Sequence, residues 1–216
     1  MKVAVVLAGC GVYDGSEIYE ATLTMLFLDR AGVPYQCLAP NIDQMHVINH
    51  LTGEVAAGET RNVLVEAARL ARGEVMDLAD GNAADYDALI VPGGFGVAKN
   101  LCNFAVKGAD MTIREDVTAF VGAFRDAGKP VGLVCIAPVM AAQLFGEGTQ
   151  CTIGKDQDVA AAITAMGGDH HECAVSNVVI DGDRKLVTTP AYMLAKSISE
   201  AASGIERLVD EVLKLV

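Results

Sequence analysis

The chain of 216 residues predicts an α/β fold: a doubly wound, mostly parallel sheet flanked by helices, in one domain over residues 1–216. Three observations predict it. Short apolar, β-branched runs such as Val3–Ala8, Ala88–Val91 and Pro130–Val134 read as buried strands. They alternate with helical stretches closed by Gly32, Gly73, Gly128 and Gly167, which is the rhythm of βαβ units. A content of 52% hydrophobic residues supplies a sizeable core for one domain of this length.

The elements follow in order. Val3–Ala8 is the first strand. It runs into Gly9-Cys10-Gly11-Val12-Tyr13-Asp14-Gly15-Ser16, with Ser16 a candidate N-cap for a helix from Glu17 to about Ala31. Gly32 and Pro34 stop that helix, and Tyr35–Ala39 is the second strand, parallel to the first. Residues 41–58 break the rhythm, and Val47–Leu51 reads as a short strand or hairpin over the rim. A helix over Glu59–Arg72 and a small strand at Val75–Leu78 precede the strand Ala88–Val91 and the loop Pro92-Gly93-Gly94-Phe95-Gly96. Helices are expected over Ala98–Phe104 and Ile113–Ala127, then the strand Pro130–Val134, Cys135, and a helix over Val139–Phe145 with Pro138 in its first turn. Cys151–Ile153 reads as a strand and Lys155–Met166 as a helix. Cys173–Val175, Val178–Ile180 and Lys185–Thr189 read as strands, and Ser197–Val216 as the last helix.

Charge and cysteine usage exclude several classes. Sixteen basic against 28 acidic residues give a net charge of −12, so a basic nucleic-acid footprint is absent and an anionic membrane surface would repel the chain. No apolar run reaches the length of a bilayer span, and the N-terminus reads as strand one rather than a leader. Six scattered cysteines without a C-x-x-C pair favour reduced thiols, and the expected compartment is cytoplasmic.

In an open parallel sheet, ligands bind outside the carboxyl ends of the strands. Three such ends carry chemistry: Gly9–Glu17, Pro92–Gly96 and Cys135. Cys135 sits at a strand-to-helix corner and is the candidate nucleophile. The following helix N-terminus stabilises an adjacent anion by about 0.3–1 kcal/mol, up to ~2, which lowers the thiol pKa by about one unit. Glu17 is the candidate proton-transfer partner, titrating with the thiol as a pair. Gly93 and Gly94 let backbone N–H groups approach a ligand, and the Gly94 and Ile136 N–H groups form the expected oxyanion hole.

Secondary candidates are weaker. Asn100 is a candidate to orient a substrate oxygen, against the plainer reading of a solvated helix start. His50 is placed near the pocket rim, and Thr189 either faces the pocket or caps the next helix. Gly9-x-Gly11 resembles a dinucleotide fingerprint, but its third glycine falls one residue late. The pairs His46 with His50 and His171 with Cys173 fall short of a zinc ligand set, so no metal and no cofactor are expected.

The layout resembles the PfpI and class I glutamine amidotransferase-like superfamily, which has a glutamate at the start of the first helix, a P-G-G loop and a cysteine elbow. More closely, GCGVYDGSEIYEA, INHLTGE, LIVPGGFG, CIAP and TTPAYMLA resemble the ElbB-type glyoxalases, the sigma cross-reacting protein family. The resemblance implies a flavodoxin-like sandwich, a homodimer and glutathione-independent, weak conversion of a small aldehyde, glyoxal, to glycolate. In that implied reaction a hemithioacetal forms on Cys135, Glu17 moves protons, and water releases the acid. Amidase and peptidase members of the superfamily carry His after the cysteine; here the position is Ile136, which argues against peptide hydrolysis. The alternative, from a different class, is a non-enzymatic redox or metabolite sensor using Cys135.

Overall fold

The strand ends that carry the chemistry lie side by side. In the computed structural model, which describes residues 1–216, the elements are β1 (Val3–Val6), α1 (Ile18–Arg30), β2 (Tyr35–Ala39), α2 (Val63–Leu70), β3 (Val75–Asp77), β4 (Ala88–Val91), α3 (Phe104–Lys107) and α4 (Glu115–Asp126). There follow β5 (Val131–Val134), α5 (Ala141–Phe145), β6 (Gln150–Cys151), α6 (Gln157–Ala165), β7 (Asp169–His170), β8 (Val179–Asp181), β9 (Leu186–Thr189) and α7 (Ile198–Lys214). Seven strands form one sheet in the order β3-β2-β1-β4-β5-β9-β8. All its pairings are parallel except β8 with β9.

The order explains why the site forms where it does. From β1 the chain winds outward through β2 to β3, then returns to β4 on the other side of β1 and proceeds through β5 to β9. The winding reverses between β1 and β4, and a crevice opens at such a reversal beyond the strand ends. The loops after β1, β4 and β5 therefore meet there. β1, β4 and β5 are buried along their whole length, which is why they read as continuous apolar runs rather than alternating ones. Gly132 in β5 leaves room for Leu208 and Val212 of α7, since a Cβ there would crowd both. A contiguous core of 53 buried residues runs under the helices.

Several sequence expectations shift. The helix expected over Glu59–Arg72 begins only at Val63, where the Asn62 side chain caps it by accepting the Val65 N–H at 3.0 Å. Ala98–Phe104 is replaced by a π-turn at Val97–Leu101 and the separate short α3. Pro138 opens a 3-10 turn over Ala137–Met140, and only Ala141–Phe145 is α-helical. Cys173–Val175 forms no strand. Ser16 does not cap α1: it is buried, and its hydroxyl accepts the Ala8 N–H at 2.8 Å at the end of β1. The N-cap is Glu17, whose Oε2 accepts the Glu20 N–H at 2.7 Å.

Candidate active site

Cys135 follows β5 with φ of +62°, a left-handed conformation that a residue with a Cβ rarely adopts. Neighbouring bonds hold it there. Its N–H donates to the Thr189 carbonyl at 2.9 Å, continuing the β5–β9 register one residue past Val134 and Thr189. The turn aims the side chain at the loop after β4.

That loop is tied to the loop after β1 at several points. The Gly93 carbonyl accepts the Glu17 N–H at 2.9 Å, the Val12 carbonyl accepts the Phe95 N–H at 2.8 Å, and the Gly15 carbonyl accepts the Gly96 N–H at 2.9 Å. The approach leaves no room for side chains. A Cβ on Gly93 would overlap Cys135 Cβ and Glu20 Oε2, and one on Gly94, at φ +103°, would overlap the Glu17 nitrogen and the Gly15 oxygen.

The carboxyl that reaches the sulfur belongs to Glu20, and the sequence reading missed it. Glu20 is fully buried in the first turn of α1, and its Oε2 and the Cys135 Cβ lie side by side against Gly93, close enough for their ionisations to interact. Its Oε2 accepts the Gly93 N–H and its Oε1 the Tyr192 N–H, both at 3.0 Å. The second donor is positioned by Ala191, another residue at positive φ, +42°. Glu17, the partner expected from sequence, is turned back to cap its own helix, yet it lines the same cavity as Cys135. A signal for Glu20 existed in the sequence: it falls on the buried stripe of α1 with Ala21, Thr24 and Leu28, where an unpaired acid is costly.

Electrostatics also departs from expectation. Burial raises the Glu20 carboxyl to about 8, against the opposing Tyr192 N–H bond, and the nearby Glu17 charge adds to the rise. Burial pushes the Cys135 thiol well above its ordinary value, and the Glu20 charge adds to that. The backbone N–H groups of Gly94 and Ile136 favour the thiolate and pull the other way. The expected net lowering of the thiol is thus reversed: desolvation of a buried anion outweighs two N–H groups and a short 3-10 turn. Burial raises Glu17 too, opposed by the N–H groups of Glu20, Tyr19 and Ile18.

A cavity of about 370 Å³ opens beside Cys135. Glu17, Gly94, Ile136, Asp156 and Tyr192 line it with Val12, Phe95, Phe104, Val159 and Met193.

Three residues expected to bind substrate lie elsewhere. Asn100 is buried and fully engaged: its Nδ2 donates to the Ala8 and Asp14 carbonyls at 3.0 and 2.9 Å, and its Oδ1 accepts the Met45 N–H at 3.0 Å. It clamps the excursion after β2 onto the loop after β1, with no polar group left for a ligand. His50 has both ring nitrogens engaged: Nδ1 is 3.0 Å from the Ile48 carbonyl, and Nε2 accepts the Tyr13 N–H at 3.2 Å. It borders a separate hollow with Asn49 and Arg61. Thr189 is buried, donates its hydroxyl to the Asn177 carbonyl at 2.8 Å, and serves the site through its own carbonyl on the Cys135 N–H.

A parallel sheet whose cysteine elbow meets a glycine loop and a buried glutamate at the winding reversal defines the class I glutamine amidotransferase-like fold. Within it the chain belongs to the DJ-1/PfpI family, whose model matches residues 1–195. It is 46% identical over 223 residues to human "Glutamine amidotransferase-like class 1 domain-containing protein 3, mitochondrial", covering 99% of this chain and 83% of that protein. It is 44% identical to rat "ES1 protein homolog, mitochondrial", covering 99% and 84%. Among solved structures, an isoprenoid biosynthesis protein with amidotransferase-like domain from Ehrlichia chaffeensis matches with TM-score 0.93 and 39% identity, over 100% of this chain and 99% of that one. Glyoxalase III from Candida albicans shares the fold at TM-score 0.62, with 13% identity, over 100% and 97%. The curated relatives also correct the expected compartment: the human, rat and zebrafish proteins are named as mitochondrial, so the cytoplasmic expectation does not stand.

Proposed function

We propose that the protein is a cysteine-dependent glyoxalase of the ElbB type, converting a 2-oxoaldehyde to a 2-hydroxy acid without glutathione. The observation that carries the reading is the buried carboxyl of Glu20 beside Cys135, at a cavity with no histidine in its lining. A thiol with a carboxyl partner suits addition to an aldehyde and internal proton transfer. Peptide hydrolysis needs a proton donor to the leaving amine, the usual part of a histidine.

The roles divide between the two carboxyls. Glu20, under the sulfur and outside the cavity lining, takes the thiol proton as sulfur bonds to the aldehyde carbon. The C=O π pair moves to oxygen, where the Gly94 and Ile136 N–H groups receive it. Glu17, which lines the cavity, carries the proton from the former aldehyde carbon to its neighbour, and the proton taken up by Glu20 ends on the neighbour's oxygen, leaving a thioester of the 2-hydroxy acid. Water then cleaves the C–S bond and restores the thiol. One carbon is oxidised and the adjacent one reduced, so no external redox partner is required. We include in the proposal a homodimer, tested by light scattering of the purified protein.

The deciding experiment follows product and adduct together, by mass spectrometry after incubation with glyoxal. Wild type yields glycolate and Cys135→Ser yields none. Glu17→Gln accumulates the protein adduct without glycolate, and Glu20→Gln forms adduct slowly. Stoichiometric modification of the wild type without turnover overturns the reading in favour of a sensor built on the same cysteine.

A further inference from the structure

The cavity is larger and more apolar than glyoxal needs. Its volume of about 370 Å³ lies within the range of roughly 300–1,000 Å³ typical of ligand pockets. At about 30 Å³ per water it has room for around twelve waters, whereas glyoxal has four heavy atoms. Beyond the sulfur the walls are Phe95, Phe104, Ile136, Val159 and Met193. Charge is equally selective. No Lys, Arg or His lines the cavity, while Glu17 and Asp156 do, on a chain of net charge −12. A phosphate or carboxylate on the substrate would enter with no cation to meet it.

We propose, resting on the glyoxalase reading, that the preferred substrates are uncharged 2-oxoaldehydes R–CO–CHO in which R is a hydrocarbon chain longer than methyl, seated against Phe104, Val159 and Met193. The reaction consumes one water and gives R–CHOH–COOH. The aldehyde carbon gains the oxygen and loses its hydrogen to the neighbouring carbonyl carbon, with sulfur as transient leaving group. The same electrostatics drives release, because the product carboxylate forms beside Glu17 and Asp156.

The test compares 2-oxohexanal with glyoxal, for the wild type and Val159→Asp, which places a charge on the wall at a partly buried position in the first turn of α6. Burial of two methylenes favours the longer substrate by roughly tenfold. The expected kcat/KM ratio is therefore at least tenfold in its favour in the wild type, falling at least fivefold in the variant. A ratio near one overturns the inference and leaves the glyoxalase reading standing. Turnover of neither compound overturns that reading, and a second measurement then decides the inference alone. Hexan-2-one should slow alkylation of Cys135 by iodoacetamide, and 5-oxohexanoate, of similar length but anionic, should not. Equal protection by the two, or none by either, overturns the apolar, uncharged assignment.

Discussion

Glu20 lies beside the Cys135 side chain while accepting backbone N–H groups from Gly93 and Tyr192, which follow β4 and β9. One carboxyl thus ties the strand ends on either side of β5 to the sulfur carried by β5 itself. Removing its proton-accepting ability should slow reaction at the thiol while the sheet still forms.

The pH dependence of the rate follows from that pair. With Glu20 raised to about 8 and Cys135 higher still, both hold their protons at neutral pH, and the first loss belongs to the pair. Adduct formation should rise with pH through an apparent pKa near 8. Glu20→Gln should move the inflection upward and lower the rate at pH 7 by about 10²–10⁴-fold. Stopped-flow or quenched mass spectrometry across pH 6–10 measures both; an unmoved inflection would assign the ionisation elsewhere.

Stability should fall with pH over a defined window. The Glu20 value lies above its ordinary 4.5, so between about 4.5 and 8 the folded protein binds more protons than the unfolded chain. Unfolding free energy then decreases as pH rises through that window, with no further change from this group above it. Glu20→Gln makes the slope shallower, the raised Glu17 carboxyl keeping its own share, and its absolute stability is lower because Gln cannot accept both backbone N–H groups. Urea denaturation at several pH values compares the slopes.

The backbone strain at Cys135 can be separated from its chemistry. At φ +62° a side chain costs about 1–2 kcal/mol that glycine avoids. Cys135→Gly should therefore be more stable than Cys135→Ala by about 1 kcal/mol, both being inactive. Thermal or urea melts of the two variants give the difference, and a more stable alanine variant would show that the turn is not strained.

Asn100 should behave as a structural clamp. Asn100→Ala leaves the buried carbonyls of Ala8 and Asp14 without this partner, each costing about 1–3 kcal/mol where water cannot enter, and frees the part-buried Met45 N–H. A loss of several kcal/mol in denaturation is expected, with KM unchanged in the fraction that stays folded. A raised KM at unchanged stability would return Asn100 to the substrate.

Much of this was legible in the sequence because local chemistry carried it. The runs Val3–Val6, Ala88–Val91 and Val131–Val134 are apolar at every position, which only strands buried on both faces require. Glycines at 93 and 94 and a cysteine between a strand and Pro138 marked the turns. Segments whose form depends on distant partners were misread. Glu59–Asn62 lacks helix because the Gln44 N–H bonds the Arg61 carbonyl and the Val63 N–H bonds the Ile42 carbonyl. Asn100 and His50 look like ligand-binding side chains until their hydrogen bonds are seen to be used within the chain.

By itself the sequence determined the fold class and the position of Cys135 at an elbow beside a glycine loop, since both follow from residue type and spacing along the chain. The tertiary structure alone decided which carboxyl meets the sulfur. Glu17 and Glu20 stand three residues apart in one helical start, but the packing of α1 brings Glu20 to the Gly93 and Tyr192 N–H groups past the ends of β4 and β9 and leaves Glu17 to cap the helix. The same packing withdrew the pair from bulk water, leaving the sulfur open only to the cavity, and desolvation set its ionisation. Burial is a property of the whole assembly of strands and helices, and no local stretch of residues contains it.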